Sequence, residues 1–370
     1  MKPPLIIVFL LISFSNFSQV FDEGFLQKLA KKGADHIYNA NLDSAFYYAD
    51  SLKTFIPDHP AIPLMKAVAL IWSHIPTISD EVFSVIERKL DSVVFLAEQK
   101  APKLKDSEMM FFAMAAHGLL AEYYADKDYT IKAVRAASRA YLLLKRGFDL
   151  TEEYPEFLFT TGLYNYFREM YPKKYPIYKP LLWFFRSGDR ELGLEQLEKA
   201  TEITFLTKVE AHIYLSYIYL RYEYKPERAQ EYLSRLCLSY PNNYYAKAKY
   251  LESLANPKDF NIAPIEMIND LIDHENDYYK LAGYVFLGYY EEAVNNNHLR
   301  AEIAYRKGLT FGMQVPDHGE FFKGFGYLGL GRILIARKDS EEAEAALKQA
   351  LNYPETEAIK MEAKELLSQI

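Results

Sequence analysis

One stretch of this sequence combines side chains that could bind a surface or a partner. It reads YPKKYPIYKPLLWFF and spans residues 171–185. Lysine suits anionic headgroups and tryptophan suits the boundary between lipid and water, so this stretch could act as a membrane-contacting finger. The alternative is that Leu181–Phe185 packs back over the neighbouring helices, because exposed apolar patches are uncommon on soluble proteins. The candidate contact residues are Lys173, Lys174, Tyr175, Tyr178, Lys179, Trp183 and Phe184.

Residues typical of catalysis or metal binding form no recognisable pattern. Gly324, Gly326 and Gly329 match G-x-G-x-x-G, but a dinucleotide fingerprint follows a strand, whereas these glycines lie in a helical packing pattern. None of the eight histidines has another histidine three or four residues away, as a helical metal site would need. Cys237 lies between two leucines and is interpreted as a small buried side chain. The sequence therefore predicts no catalytic residue, no metal ligand and no cofactor.

The composition narrows the class of partner. The 370 residues carry a net charge of −7, with a pI near 5.7, and phosphate binding needs clustered lysine and arginine. We therefore expect no nucleic-acid surface. Acidic residues are abundant, and a glycoside hydrolase needs only two carboxylates across a cleft, but no pair stands out. A glycan-related enzyme is kept only as a third alternative.

The N-terminus has the layout of a secretory signal peptide. Lys2 precedes an apolar core from Leu5 to Phe14, and small polar residues follow. This core is too short to span a bilayer, which needs about 20 residues. We predict a signal peptide at residues 1–18 and export to the periplasm, the outer surface or the medium; an uncleaved anchor is the alternative. The single cysteine excludes an intramolecular disulfide, so stability must come from a buried core.

Apolar residues recur at helical spacing after residue 20, and a longer repeat is superimposed on them. Two of its copies read Gly33, Ala45, Ala49, Leu52, Pro57 and Gly331, Ala343, Leu347, Ala350, Pro354. The leading small residue lets a second helix approach closely, and the proline ends the pair. This pattern resembles the tetratricopeptide repeat.

The resemblance implies an all-α fold, a right-handed α-solenoid of about eight TPR-like helical hairpins with a C-terminal capping helix. No linker divides residues 19–370, so we predict one domain, with a Pro/aromatic insertion at 171–189. Three prolines, Pro172, Pro176 and Pro180, predict extended backbone over 172–180. The predicted hairpins are 25–57, 60–102, 107–147, 155–205, 209–241, 244–275, 281–311 and 324–354, and the capping helix runs from Glu355 to Ile370.

A narrower resemblance covers residues 160–200. The sequence GLYNY at Gly162–Tyr166 and the sequence SGDRELGLEQL at Ser187–Leu197 look like segments of secreted bacterial tetratricopeptide proteins of uncharacterised function. They are also similar to the eukaryotic tetratricopeptide-39 family, which is linked to membranes and lipid-rich inclusions. The resemblance implies an adaptor-like protein and implies no catalytic residue.

Two functional interpretations follow from these patterns. The preferred one is a non-catalytic scaffold of the cell envelope that holds a protein or an extended peptide in the concave groove of the solenoid. Tyr and Arg on the first helix of each hairpin would make the contacts, because they are amphipathic and form hydrogen bonds. The alternative is a membrane- or lipid-contacting adaptor that uses residues 171–185. The candidate groove residues are Phe159, Tyr166, Tyr217, Tyr289 and Arg332.

Overall fold

The structure of the protein, a computed structural model, describes residues 24–101, 106–177, 179, 185–255, 260–353 and 357–370. Helices form most of this part of the chain, and it contains no β-strand. The predicted signal peptide at residues 1–18 lies outside the described residues and stays a prediction.

The described residues form eight consecutive helical hairpins and a final single helix, as the repeat pattern predicts. The hairpins pair α1 with α2, α3 with α4, and so on to α15 with α16, and each packs on its neighbours along the chain. The all-α solenoid is therefore confirmed. The helices are α1 Phe25–Tyr38, α2 Leu42–Lys53, α3 Ala61–His74, α4 Asp80–Lys100, α5 Ser107–Asp126, α6 Thr130–Gly147, α7 Phe157–Lys174, α8 Arg190–Ile203, α9 Lys208–Arg221, α10 Pro226–Ser239, α11 Tyr244–Ser253, α12 Ile265–Asp273, α13 Asp277–Ala293, α14 His298–Gly312, α15 Glu320–Ala336, α16 Ser340–Leu351 and α17 Glu357–Leu367.

Five of the eight hairpins share the same turn between their two helices. The residue two positions before the second helix lies in the left-handed region of φ. The next residue donates its backbone N–H to a carbonyl five or six positions earlier, which satisfies an open carbonyl at the end of the first helix. The left-handed residues are Ala40, Asp128, Tyr224, Asn296 and Lys338.

Small residues allow the two helices of a hairpin to approach closely. A Cβ atom added to Gly331 would lie 2.5 Å from a methyl carbon of Leu347, the residue that the repeat pattern places opposite it. Between α7 and α8 the neighbouring atom belongs to the backbone, because a Cβ on Gly193 would lie 2.6 Å from the backbone nitrogen of Tyr166. Gly324, Gly326 and Gly329 all lie inside α15, so their interpretation as helix-packing residues is confirmed.

The start of the insertion differs from its prediction. Residues 172–174 are helical, because α7 continues through Pro172 to Lys174. A proline in the last turn removes only one helical hydrogen bond. The turn is closed by the N–H of Tyr175, which donates to the carbonyl of Tyr171 at 2.8 Å, and by the ion pair of Lys173 with Glu169 at 2.7 Å. The expectation of extended backbone over 172–180 is therefore wrong, because residues 172–174 are α-helical and residues 176, 177 and 179 have 3-10 helical conformation.

The solenoid curves enough for its beginning to pack against its middle. One cluster of buried side chains combines residues of the first two hairpins with residues of the fifth and sixth. Such contacts bury apolar surface of the first helices that neighbouring hairpins leave uncovered. The cluster consists of Ile37, Tyr38, Ala45, Ala69, Val209, Leu236 and Ala246.

The close crossing of α7 and α8 makes a prediction about stability. Gly193→Ala should lower the free energy of unfolding by about 1–3 kcal/mol, because the added methyl meets backbone that cannot move independently. The matched control is Gly118→Ala on α5, where an added Cβ has no neighbour within 4 Å. That change should raise stability by about 0.5–1 kcal/mol, because alanine is the better helix former. Urea unfolding of both variants tests this, and equal stabilities would contradict it.

Candidate functional site

The interior of the solenoid contains an inner seam, defined here as the contacts of α1, α3 and their following turns with α9, α11 and α13. Tyr38, at the end of α1, donates its hydroxyl to the two carboxylate oxygens of Glu210 on α9, at 2.8 and 2.9 Å. Close by, the N–H of Asn242 donates to the side-chain oxygen of Asn39 at 3.1 Å. These bonds join segments about 170 and 200 residues apart, so they close the solenoid upon itself.

The second hairpin continues the inner seam. The hydroxyl of Tyr279 on α13 donates to the carbonyl of Ile75 at 2.9 Å, and the side-chain amide of Asn276 donates to the hydroxyl of Thr77 at 2.8 Å. The ring of Trp72 on α3 packs against the ring of Tyr38 at a centroid distance of 5.2 Å. The seam is therefore an aromatic contact with specific hydrogen bonds.

The carboxylate in the inner seam titrates in an unusual range. Burial raises the pKa of Glu210 to about 7, although hydrogen bonds from Tyr38 and Trp72 oppose the rise. Burial and the adjacent carboxylate also raise the pKa of the Tyr38 hydroxyl, which therefore stays protonated and acts as the donor. The contact between α1 and α9 thus depends on a group that gains or loses its charge near neutral pH.

A second contact crosses the interior between α5 and α9. The hydroxyl of Tyr214 donates to Glu122 at 3.3 Å, and the ring of Phe159 lies against the ring of Tyr214 at 5.6 Å. Burial raises the pKa of Glu122, and the nearby charge of Asp126 raises it further. The polar groups of these helices therefore face one another across the interior.

Three of the five predicted groove residues lie in the core instead of on an open concave surface. Phe159, Tyr166 and Tyr289 are all buried. The hydroxyl of Tyr166 donates to Glu223 at 2.5 Å, and the ring of Tyr289 packs between those of Phe260 and Phe325. The expected concave position is therefore corrected to a core position for these three residues. Each has neighbours on both sides of its helix, which a helical repeat does not reveal.

The other two predicted groove residues retain accessible surface. Tyr217 on α9 is 37% exposed. Arg332 on α15 is engaged by Glu292 at 2.6 Å and by Glu362 of the last helix at 2.9 Å, so it fastens the capping helix to the stack. A binding role for either residue stays a prediction.

Other buried charges also have structural partners. Glu156 accepts hydrogen bonds from the N–H groups of residues 205–207 at 2.7 to 3.0 Å, which holds the loop between α8 and α9. Arg221 and Lys249 both pair with the buried carboxylate of Glu252. A carboxylate left unpaired in such surroundings would be costly, so these groups fix the packing of successive hairpins.

The end of the insertion, at Phe185 and Arg186, packs at the junction between the third and fourth hairpins. The ring of Phe185 lies 4.9 Å from the ring of Tyr141 on α6. The N–H of Arg186 donates to the hydroxyl of Tyr141 at 3.0 Å, and the hydroxyl of Tyr164 on α7 donates to the carbonyl of Arg186 at 2.6 Å. The guanidinium of Arg186 lies over the ring of Phe148. The end of the insertion is therefore a wedge between α6 and α7.

The residues of the insertion that were predicted to contact a surface or a partner differ in their exposure and in their neighbours. Tyr175 and Lys179 are exposed, and Lys173 pairs with Glu169. The ammonium of Lys174 lies 4.5 Å from the centre of the Tyr222 ring. The remaining candidates, Tyr178, Trp183 and Phe184, lie outside the described residues, so their roles stay predictions.

Beside this wedge, α6 presents an apolar surface that the sequence analysis did not single out. Ile131 is 78% exposed, Val134 62% and Leu142 63%. The buried face of α6 is formed instead by Ala133, Ala136 and neighbouring residues. A usable signal was present in the sequence, because the three aliphatic residues lie opposite the alanines on a helical projection. We call Ile131, Val134 and Leu142 the α6 stripe.

The described residues offer little basis for chemistry. No group of three or more His, Cys, Asp or Glu side chains within them is placed to hold a metal ion. Every helix in the same part of the chain is too short or too polar to cross a membrane. Burial raises the pKa of Cys237 to about 12, so its thiol stays protonated and weakly reactive. A hollow beside the α6 stripe measures about 580 Å³ and includes Phe83, Glu87 and Ile131 in its lining.

The raised pKa of Glu210 predicts how stability depends on pH. The folded state binds its proton up to about pH 7, whereas the unfolded state releases it near 4.5, so the wild type loses stability as the pH rises between these values. Glu210→Gln should remove this loss and be more stable than the wild type at pH 8, by about 2–3 kcal/mol. Urea unfolding at pH 5, 6, 7 and 8 measures the difference.

The matched control for this experiment is Tyr38→Phe. It removes a hydrogen bond that favours the charged carboxylate, so the pKa of Glu210 should rise further, and the loss of stability should become larger and extend to higher pH. Parallel pH profiles for the wild type and both variants would show that Glu210 does not titrate in the inner seam.

Comparisons with known proteins add little to this description. No protein-family model matches the sequence, and no curated protein matches it. Among solved structures, the chain is similar to the crystal structure of yeast Tom70, with 12% sequence identity over 93% of this chain and 88% of that chain, and a TM-score of 0.30. A similarity this distant carries no argument about function. The narrower resemblance of residues 160–200 to bacterial and eukaryotic tetratricopeptide proteins stays a prediction.

Proposed function

We propose that this protein is an exported, non-catalytic scaffold that binds a partner protein through its surface. The observation that carries the proposal is the contrast between the interior and the outer face. Inside, the charged groups are engaged in structural contacts such as those of Glu156, Glu252 and Arg332. Outside, the α6 stripe leaves large aliphatic side chains in water, which is a feature of interaction surfaces.

The fold is compatible with this role but does not demand it, because helical repeats carry many functions. The inner seam favours the outer surface for a large partner, because an extended peptide in the concave groove would compete with the bonds of Tyr38 and Tyr279. Binding in the concave groove is the finer version of the proposal. Its candidate contact residue is Tyr217, whose side chain is partly exposed.

A second candidate function is contact with a membrane surface through the insertion. Its support is local. Ile177 is 81% exposed beside Tyr175 and Lys179, an arrangement of apolar and basic side chains that suits the lipid boundary. Flotation with anionic vesicles tests it: Ile177→Ser together with Lys179→Glu should abolish flotation, and a wild-type chain that stays unbound would exclude it.

Site-specific photo-crosslinking in living cells tests the binding proposal. A photoreactive residue at Leu142 should give an adduct of one discrete mass, and the same residue at Leu238, an exposed leucine on α10, should give none. A photoreactive residue at Tyr217 distinguishes the two faces, because an adduct at Tyr217 would indicate binding at the concave face and an adduct at Leu142 binding at the outer face. If none of the three positions yields an adduct, the scaffold proposal is wrong.

Export is tested separately, because it rests on residues 1–18 alone. The mature protein should begin close to Gln19 and should be recovered outside the cytoplasm. N-terminal sequencing of the protein from its source cells measures both points. An unprocessed chain that begins at Met1 and stays in the cytoplasm would contradict the export proposal without affecting the binding proposal.

A further inference from the structure

The α6 helix combines exposed aliphatic side chains with positive charge in an otherwise acidic protein. Its sequence, TIKAVRAASRAYLLLKRG, contains five Lys or Arg residues and no Asp or Glu. Lys132 pairs with Glu87 of α4 at 3.0 Å. Among the described residues, no carboxylate lies within ion-pair distance of Arg135, Arg139 or Lys145. Within the part of the chain that the structure describes, the charges of Arg135, Arg139 and Lys145 therefore have no ion-pair partner.

The exposed residues lie along one line of the helix. Ile131, Val134, Ser138 and Leu142 are separated by three or four positions, which is the spacing of a seam that packs against another helix. Arg135 and Arg139 lie beside this line and are exposed. A helix that packed on the seam would meet aliphatic side chains at its centre and guanidinium groups at its edge.

The stack of hairpins is interrupted between α6 and α7. Other second helices pack along the first helix of the next hairpin, whereas α6 meets α7 only sparsely. Phe185 and Arg186 separate the two helices near Tyr141 and Tyr164. Helix α6 therefore packs mainly on α5, and Ile131 and Val134 in its N-terminal half stay exposed.

We infer that α6 is the docking site for an acidic amphipathic helix of a partner protein. Leucine-like side chains of that helix pack on the α6 stripe, and one of them enters the hollow beside Ile131 and Phe83. Aspartate and glutamate at its edge pair with Arg135 and Arg139. This inference rests on the proposed scaffold function and names the surface and the chemistry of the partner.

The surroundings of α6 favour a helix over an anionic membrane. Asp80 and Asp128 border its N-terminal end, and Asp149, Glu152 and Glu153 follow its C-terminal end. A flat anionic bilayer would approach these carboxylates together with the arginines. A helix is only about 10 Å wide, so along the 18 residues of α6 it comes near Asp80 and Asp128 only at the hollow, where it inserts an apolar side chain and no carboxylate.

Selection from a displayed library of helical peptides, against the full mature chain, tests the inference. The enriched peptides should carry apolar residues three or four positions apart and an excess of Asp and Glu. Their affinity should fall about tenfold or more in the double variant Val134→Ser with Leu142→Ser, because central contacts dominate binding. It should fall as much in the double variant Arg135→Glu with Arg139→Glu, because the charge reversal adds repulsion. The binding should also weaken as salt increases.

Leu238→Ser on α10 is the matched control, since it removes a leucine outside α6 that is even more exposed than Leu142. It should leave peptide affinity within twofold of the wild type. All substituted side chains are exposed, so circular dichroism and thermal unfolding should be unchanged in each variant.

The outcomes separate the inference from the function on which it rests. Peptides that bind equally well to the α6 variants would overturn the inference and leave the scaffold proposal standing. Failure to select any binder would overturn both. Binding of anionic vesicles that is lost in Arg135→Glu, Arg139→Glu, without any acidic peptide, would show that the surface meets lipid. A wild-type dimer in sedimentation that Leu142→Ser dissociates would show that a second copy of the chain covers it.

Discussion

Two-sided burial of the first helices is the constraint on which this structure depends. Helix α5 buries residues on nearly all of its faces, as does α15, and a helix that is apolar all round must be covered all round. The second helix of the same hairpin and the next hairpin cover only part of such a helix. For α1, α3, α9 and α11, the inner seam supplies part of the remaining cover, because the beginning of the chain packs against its middle. The curvature of the solenoid therefore follows from its composition as well as from its repeat.

This closure determines where polar groups can lie. Charged side chains inside the solenoid lose hydration, so each is stabilised by specific partners, as Glu252 is by Arg221 and Lys249. For Glu210, the hydrogen bonds do not fully offset the cost of burying a charged carboxylate, and its pKa is therefore raised. The interior is thus stable only in one arrangement of hairpins. The exposed apolar side chains that could contact another molecule therefore lie on outer helices such as α6 and beside the wedge.

Sequence reasoning located the elements well and their neighbours poorly. The eight hairpins lie where the small residues and prolines predict, and the contact of Gly331 with Leu347 follows from their spacing alone. Tyr166 and Tyr289 were assigned to an open groove, yet both are buried. Helical periodicity gives the direction of a side chain from its helix axis, but it does not say whether another part of the chain lies there. Pro172 was expected to end α7, and local contacts of Lys173 and Tyr175 allow two further helical residues.

The amino-acid sequence by itself therefore determined the class of fold, the number of hairpins, the position of the insertion and the absence of a recognisable catalytic motif. These properties depend on local spacing, on proline and on small residues, and each is set within about 40 residues of chain. Only the tertiary structure decided that the first hairpins meet the fifth to seventh, that the end of the insertion is a wedge, and that α6 keeps aliphatic side chains in water. The first of these properties depends on the accumulated curvature of many hairpins, and the other two depend on how α6, α7 and the end of the insertion pack together. A contact between Tyr38 and Glu210, 172 positions apart, leaves no trace in any local pattern.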